Sequence, residues 1–159
     1  MIVLIDGPSG AGKTTFAHRL QSILGWQLVH LDDLYPGWGG LAQGSALVAE
    51  EVIPKRRVRH WDWQHGRPGV VSNLAPGPLI IEGVGALSQA NLATARQAGE
   101  VFSIVLDGAP SWRKTRALSR DPDYALHWQQ WAEQEAEHFA SMPTPDVMWW
   151  EGEPTNVPM

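Results

Sequence analysis

Cysteine is absent from the 159-residue sequence, which excludes a disulfide framework and thiolate chemistry. The apolar runs, such as residues 2–5 and 79–81, are far too short to span a lipid bilayer. Met1 leads directly into the first of these runs, without a basic leader or a cleavable apolar segment. We therefore expect a cytoplasmic protein that is not exported and does not enter a membrane.

Positive charge is also scarce, because 12 lysines and arginines stand against 17 aspartates and glutamates, for a formal net charge of −5. This balance argues against a nucleic-acid or anionic-membrane surface, which would have to neutralise phosphates. The basic residues are concentrated in residues 54–60 and 112–120, which indicates local anion binding within an acidic protein. With 43% hydrophobic and 18% charged residues, a chain of this length fits a globular domain.

Short apolar runs alternate with segments of helical periodicity, which predicts a three-layer α/β/α domain with a mainly parallel sheet of about five strands. Strands are predicted at residues 2–6, 26–31, 78–85 and 101–107, with residues 145–150 as an edge strand. Helices are predicted over residues 14–24, 45–53, 88–98 and 111–120, and from Asp121 onward. Residues 54–77 are rich in Gly and Pro and are predicted to be irregular, and the tail 151–159 is expected to fray. No repeat or domain boundary is evident, so residues 1–159 are expected to form a single domain.

The strongest functional signal is the stretch "GPSGAGKTT", residues 7–15, which matches the Walker A pattern G-x-x-x-x-G-K-S/T. An apolar strand precedes it and an amphipathic helix follows, so its successive N–H groups would form a phosphate cradle at the helix N-terminus. We expect Lys13 to reach the β- and γ-phosphates of ATP and the Thr14 hydroxyl to ligate Mg²⁺. The expected nucleotide contacts are Gly7, Ser9, Gly10, Ala11, Gly12, Lys13, Thr14 and Thr15. The alternative is a glycine-rich turn that binds nothing.

Two adjacent carboxylates, Asp32 and Asp33, end the second predicted strand. Ligands of open α/β sheets collect at this edge, beside the phosphate loop. Because successive strand side chains point to opposite faces, we expect only one of the pair to act as a base. The alternative is a polar strand end or a helix cap.

Three arginines, Arg113, Arg116 and Arg120, follow one another at spacings of three and four residues. A helix would place them on one face, where their planar groups suit phosphate oxygens. A solvated basic face is the alternative. Glu82 ends the strand "LIIE" in the manner of a Walker B carboxylate and could support Mg²⁺, unless it is a structural strand end.

The phosphate loop alone leaves three classes open: a switch, a motor and a kinase. No Asn-Lys-x-Asp element for guanine recognition occurs in the sequence, which counts against a GTPase switch. A motor would normally need a longer chain. The sequence instead offers a base, cations and a metal-binding carboxylate, which are the parts that phosphoryl transfer to a small molecule needs.

Together the motifs resemble the P-loop kinases of the uridine kinase and phosphoribulokinase type, especially compact bacterial members. The resemblance runs over most of the chain and rests on ordered motifs, namely "GPSGAGKTT", "LDDLY", "WDWQHGR", "IIEGV" and "RALSRD". Aligned on Tyr35, it implies that Asp32 is the base for the acceptor hydroxyl. It also implies a lid helix at about residues 111–122, with Arg113 on the nucleotide and with Arg116 and Arg120 as catalytic cations.

The resemblance further implies an acceptor site built by two loops, at about residues 35–45 and 55–77. Its "Y-D-Y-x-x-H" segment corresponds to Trp61-Asp62-Trp63, with His65 one residue early. Trp63 could stack on a base and Asp62 could accept from a sugar hydroxyl; tryptophans that plug the core are the alternative. The acceptor-site residues expected from the sequence are Asp33, Tyr35, Trp38, Trp61, Asp62, Trp63, His65 and Arg67.

The sequence thus predicts an ATP- and Mg²⁺-dependent kinase for a hydroxyl of a nucleoside-like or sugar-like acceptor, acting as a monomer or homodimer. One alternative is a nucleoside monophosphate kinase, in which Arg56, Arg57, Arg59 and Arg67 would grip the acceptor phosphate. An alternative from another class is a nucleotide-binding regulator or slow ATPase.

Overall fold

The computed structural model describes residues 1–150 and contains a central sheet of five parallel strands. Their spatial order is β2-β5-β1-β6-β7, which confirms the predicted α/β class and the edge position of the last strand. The five strands are β1 Ile2–Asp6, β2 Gln27–His30, β5 Leu79–Glu82, β6 Val101–Asp107 and β7 Val147–Trp150. The predicted fraying of residues 151–159 lies outside the described part.

The side chains of β1 alternate between the two faces of the sheet, as a strand buried on both faces requires. Ile2 and Leu4 pack into the larger core, whereas Val3 and Ile5 pack into the smaller one. Helices cover both faces and complete three layers. They are α1 Lys13–Leu24, α2 Leu41–Leu47, α3 Ile53–Lys55, α4 Gln89–Ala98, α5 Pro110–Arg120 and α6 Trp128–Ser141. Among residues 1–150, no helix is both long enough and apolar enough to cross a membrane.

The stretch 54–77 is not irregular, as the sequence predicted, but contains an antiparallel hairpin of β3 Arg57–Asp62 and β4 Arg67–Asn73. A tight turn joins the strands, and Gly66 adopts the left-handed conformation there, with φ of 62°. All seven residues of β4 are exposed, so the strand lacks the alternation of apolar and polar residues that identifies a half-buried strand. Pro68 and a register shift between Arg59 and Trp61 weaken the pattern further.

The prediction of a helix over residues 45–53 was wrong at both ends. It begins at Leu41, continues through a π-helical segment, Val48–Val52, and runs into α3. Pro54 does not end it, since it lies just after the π-helical segment, at the start of α3. The chain instead leaves the helix at Arg56, whose φ of 51° is left-handed.

The helix that the sequence predicted from Asp121 onward begins later in the structure. The Asp121 side chain accepts a hydrogen bond from the Asp123 N–H and caps a 3-10 turn, Pro122–Leu126. Helix α6 begins only at Trp128. The predicted lid segment is therefore a regular helix, α5, followed by this separate turn.

Asp6, at the end of β1, joins three parts of the molecule at the carboxyl edge of the sheet. The carboxylate is fully buried and accepts from the backbone N–H groups of Gly7 at 2.6 Å and Leu87 at 2.8 Å, and from Gly85 at 3.2 Å. Nε2 of His138, on α6, lies 2.8 Å from the same carboxylate. Asp6 thereby ties the phosphate loop to the loop after β5 and to α6.

Replacing Asp6 with alanine should lower the free energy of unfolding by roughly 3 kcal/mol or more, because several buried N–H donors would lose their acceptor. Urea unfolding followed by circular dichroism would measure the change. Glu100→Ala serves as the control, since Glu100 is an exposed acidic residue. Equal stability of the two variants would contradict the role assigned to Asp6.

Candidate active site

The phosphate loop connects β1 to α1 and has the curled backbone that the Walker A pattern predicts. Gly10 and Gly12 have φ of 80° and 95°, which a side chain would strain. A Cβ atom at Gly10 would also lie 2.1 Å from the carbonyl oxygen of Arg113, so this position requires glycine. The Lys13 ammonium donates to the Pro8 carbonyl at 3.0 Å and therefore lies within the curl of the loop.

Thr14, in the first turn of α1, lies beside Glu82, at the end of β5. The Thr14 hydroxyl donates to Oε1 of Glu82 at 3.1 Å, and Nδ1 of His30 lies 2.5 Å from the same oxygen. This hydrogen bond to Glu82 raises the pKa of His30, against the opposing effect of burial. A hydroxyl and a carboxylate are ligands that suit Mg²⁺, which usually completes its shell with substrate phosphates and water. Within residues 1–150, no group of three or more acidic, His or Cys side chains could hold a metal ion by itself.

A cleft of about 450 Å³ opens beside the phosphate loop. It brings together residues from the loop, the ends of β2 and β5, and the segment between α5 and α6. The side chains and backbone that line it belong to Ser9, Gly10, Gly12, Lys13, Thr14, Asp32, Tyr35, Trp38, Trp63, Glu82, Gly83, Val84, Arg120, Asp121, Asp123, Tyr124 and Trp131.

Asp32 and Asp33 have different surroundings, as the sequence predicted, but the reason is not the alternation of side chains along a strand. Both aspartates lie on a 3-10 turn, Leu31–Asp33, where successive side chains point about 120° apart. Both side chains are exposed, but Asp32 lines the cleft and Asp33 does not. Asp33 is therefore not placed as an acceptor contact.

The cleft raises the pKa of the Asp32 carboxyl above its usual range. The largest cause is the protein packed around the carboxyl, which displaces water, and the negative charge of Glu82 adds to it. Lys13, Arg120 and His30 act in the opposite direction. Asp32 nevertheless remains exposed to the water of the open cleft.

Trp38 is the centre of the aromatic wall of the cleft. Its ring stacks on Tyr124 at 4.9 Å and on His127 at 4.4 Å, and it meets Trp63 edge to face at 5.3 Å. Such stacked and edge contacts fix the position of an aromatic ring. Trp38 therefore lies where the sequence expected an acceptor contact.

Tyr35 also lies at the cleft, but its hydroxyl is not free. The hydroxyl donates to the Val84 carbonyl at 2.6 Å, and the ring packs edge to face on Trp131 at 4.7 Å. Tyr35 is only 1% exposed. Its role is to hold the cleft floor to the strand β5 that precedes Val84.

Of the expected contacts on the hairpin, only Trp63 reaches the cleft, and its Nε1–H donates to the Asp32 carbonyl at 2.8 Å. Asp62 instead binds the ring of His65 at 2.8 Å within the hairpin turn, and this hydrogen bond lowers the pKa of Asp62. Arg67 lies 4.0 Å from the same carboxylate. Trp61, Asp62, His65 and Arg67 are not among the residues that line the cleft.

The three arginines of α5 have three different surroundings. Arg113 donates to the Gly108 carbonyl at 3.0 Å and to the Ser9 carbonyl at 3.3 Å, so it braces the phosphate loop from behind. Arg116 stacks over the Trp112 ring at 4.5 Å and borders a second cavity of about 450 Å³. Arg120 lines both cavities.

The second cavity lies on the other side of the phosphate loop, against α5. Gly10, Gly12 and Thr14 border both cavities, whereas Thr15, Thr115 and Ser119 border only the second. A phosphate chain held by the loop could therefore reach from one cavity to the other, past Arg120.

Sequence reasoning missed several residues that the fold brings to the cleft, namely Asp121, Asp123, Tyr124 and Trp131. Tyr124 and Trp131 have the helical spacing of core residues, and the helical pattern gives no sign that they also border a cavity. Asp121 and Asp123 follow directly on the arginine run, which was the one available signal.

No protein-family model matches the sequence. Among curated proteins, the cytidylate kinase of Rhodopirellula baltica is 32% identical over 149 residues, covering 73% of this chain and 65% of that protein. The cytidylate kinase of Pseudomonas putida is 30% identical over 127 residues, covering 67% of this chain and 55% of that protein. The chain thus matches less than two thirds of the length of these relatives.

Solved structures with a similar fold include a putative fructose transport system kinase from Silicibacter sp. TM1040, with a TM-score of 0.61 and 18% identity over 94% of this chain and 89% of that one. A gluconokinase from Sinorhizobium meliloti matches with a TM-score of 0.57 and 15% identity, over 96% of this chain and 83% of that one. None of these named proteins is a uridine kinase. The likeness supports the broader part of the motif-based prediction: the chain has the P-loop kinase fold.

Proposed function

We propose that this chain is an ATP- and Mg²⁺-dependent kinase that phosphorylates a hydroxyl group of a small, uncharged, nucleoside-like or sugar-like acceptor. The observation that carries the proposal is the position of Asp32, a carboxyl with a raised pKa, in an aromatic-walled cleft that opens directly onto the phosphate loop. A base in that place is needed by a kinase and is not needed to bind nucleotide alone.

In this proposal the backbone of the loop and Lys13 hold the triphosphate, with its nucleoside toward the cavity beside Thr15, Thr115 and Arg116. Thr14 and Glu82 hold Mg²⁺, which neutralises phosphate charge when it is bound. Arg120 reaches the transferred group because it borders both cavities. Arg113 acts indirectly, through the Ser9 carbonyl. Arg116 stays a predicted catalytic cation, on the nucleotide side.

Asp32 accepts the proton of the acceptor hydroxyl as the new P–O bond forms. The bond between the γ-phosphorus and the bridging oxygen of ATP breaks, and ADP leaves with that electron pair. Asp32 must be ionised at the start, and the positive groups Lys13, Arg120 and His30 favour that form. A raised pKa lies closer to neutral pH than that of an ordinary aspartate, and this makes the carboxylate a better proton acceptor.

The charges of the cleft favour an acceptor without a phosphate group. Four carboxylates line it, those of Asp32, Glu82, Asp121 and Asp123. The cations that line it are Lys13 and Arg120, and both face the phosphate loop's own ligand. A phosphate monoester would meet more negative than positive charge, whereas an uncharged planar or sugar ring could pack against the apolar surface of Trp38 and Trp63.

The second candidate is a nucleoside monophosphate kinase, and the curated relatives named cytidylate kinase favour it. It requires cations at the acceptor phosphate. The four arginines that the sequence offered for this task, Arg56, Arg57, Arg59 and Arg67, are not among the residues that line the cleft. Arg56 binds the Gly77 carbonyl, Arg59 pairs with Glu51, and Arg67 lies near Asp62. These side chains would have to move to reach an acceptor in the cleft, so we place this candidate second.

We further propose that residues 1–150 work as a single catalytic unit in the cytoplasm, with a small molecule as the partner and without nucleic acid. The unit would act as a monomer or homodimer. A regulator or slow ATPase would release ADP at the same rate whatever acceptor is supplied.

The roles of the two aspartates can be tested by matched substitutions. Asp32→Asn should lower acceptor-dependent ADP release by about 100-fold or more, because the hydroxyl loses its base. Binding of MgATP, measured by calorimetry, should persist. Asp33→Asn removes the same charge one residue away, outside the cleft, and should change the rate by less than about threefold. The opposite order of effects would contradict the assignment.

The pH dependence offers a separate test of Asp32. Since the ionised base is active, kcat/KM should fall as the pH drops through a pKa that lies above the ordinary range for aspartate. Arg120→Gln removes a charge that lowers this pKa, so the acidic limb should move to higher pH. Arg19→Gln, an exposed change on α1, should leave the limb in place. A limb that stays still or moves to lower pH in Arg120→Gln would show that another group titrates.

A further inference from the structure

Glu135 is a buried acidic residue of α6 that faces the phosphate loop. It is 7% exposed, and within residues 1–150 it forms no salt bridge. Its Oε1 accepts from the Ser9 N–H at 3.1 Å and from the Ser9 hydroxyl at 2.6 Å. A buried carboxylate is costly unless it is hydrogen-bonded, and one beside a phosphate site also repels the ligand. Its hydrogen bonds with Ser9 indicate a role that offsets this cost.

The peptide unit of Ser9 is held from both sides. Glu135 binds its N–H, and Arg113 donates to its carbonyl at 3.3 Å. Arg113 is itself held by the Gly108 carbonyl, and its backbone packs against Gly10. These contacts fix the middle of the phosphate loop at Ser9, before the loop reaches the glycines that face the ligand.

The hydrogen bonds around Ser9 also have a direction. Because the Ser9 hydroxyl gives its only proton to Glu135, the Tyr124 hydroxyl, 2.7 Å away, must donate to Ser9. Burial raises the pKa of Tyr124 well above its ordinary value, so the phenol keeps its proton. The hydrogen bonds therefore run from Tyr124 through Ser9 to Glu135. Consecutive hydrogen bonds of this kind polarise and strengthen one another.

This series of hydrogen bonds connects the two halves of the cleft. Tyr124 stacks on Trp38 in the acceptor wall, and Ser9 belongs to the phosphate loop. The residue next to Glu135, Gln134, donates to the Trp38 carbonyl at 2.6 Å and accepts from the Leu41 N–H at 3.2 Å. Two consecutive residues of α6 thus hold the phosphate loop and the Trp38 loop.

We propose that Glu135 is a positioning residue that holds the phosphate loop in its ligand-binding shape through Ser9 and sets its place relative to the acceptor wall. This inference deepens the proposed function. It rests on one part of it, namely that the phosphate loop binds a nucleotide. Glu135 does not touch the reacting atoms. It acts through Ser9, whose N–H is therefore not available to a phosphate, although the sequence counted Ser9 among the nucleotide contacts.

The test measures the affinity of the full chain for MgADP by calorimetry, which needs no acceptor. Glu135→Ala should weaken binding by about tenfold, because the loop loses two hydrogen bonds that shape it. Glu135→Gln keeps an acceptor oxygen and should recover most of the affinity. Glu137→Ala, an exposed acidic position two residues along the same helix, should bind as the wild type does.

Ser9→Ala removes the hydroxyl but keeps the N–H bond, so it should weaken binding by about threefold. The double variant Ser9→Ala, Glu135→Ala should bind no more weakly than Glu135→Ala alone, since both changes act on one contact. Ser9→Ala also provides the test if Glu135→Ala does not fold.

Two results would overturn the proposal. One is unchanged MgADP affinity in Glu135→Ala or Ser9→Ala, even with a lower melting temperature. The other is a double variant whose loss equals the product of the single losses. Failure of the kinase proposal would look different: the wild type would bind MgADP but release no ADP in response to any acceptor.

Discussion

The in-register parallel pairing of β2, β5 and β1 determines the rest of this site. Ile5 pairs with Glu82, and Glu82 pairs with His30, so the three strands end at one level. Three parts of the proposed machinery follow directly from those ends: the phosphate loop after β1, the Glu82 carboxylate on β5, and the turn bearing Asp32 after β2. A shift of one residue in any pairing would turn these side chains to the wrong face.

The same edge explains why the candidate base has its unusual pKa. Asp32 and Glu82 are brought together by strands that neighbour each other in space although 50 residues separate them in sequence. The displacement of water by the surrounding protein, and then the negative charge of Glu82, raise the pKa of Asp32, while Lys13 and Arg120 oppose the rise. A cleft of this kind suits a base that must be ionised yet able to take a proton.

The sequence predicted the parts of the molecule that follow local rules. The Walker A stretch and the buried strands have short-range signals in glycine spacing and apolar runs. Strand β4 of the hairpin is exposed along its whole length, so the hairpin lacked such a signal. The cleft residues Tyr124 and Trp131 read as ordinary core, and Glu135 as a member of the same helix face, because only the tertiary fold shows that this face meets the phosphate loop and the cleft.

The most direct test of the central claim is a measurement of what the cleft accepts. ADP release would be followed with ATP and Mg²⁺ alone and then with nucleosides, sugars and nucleoside monophosphates, and ³¹P NMR would identify the product. The account predicts that an acceptor without a phosphate raises the rate and yields a phosphate monoester. Acceleration by monophosphates alone, with a diphosphate as product, would contradict it, as would a rate that no acceptor raises above background hydrolysis.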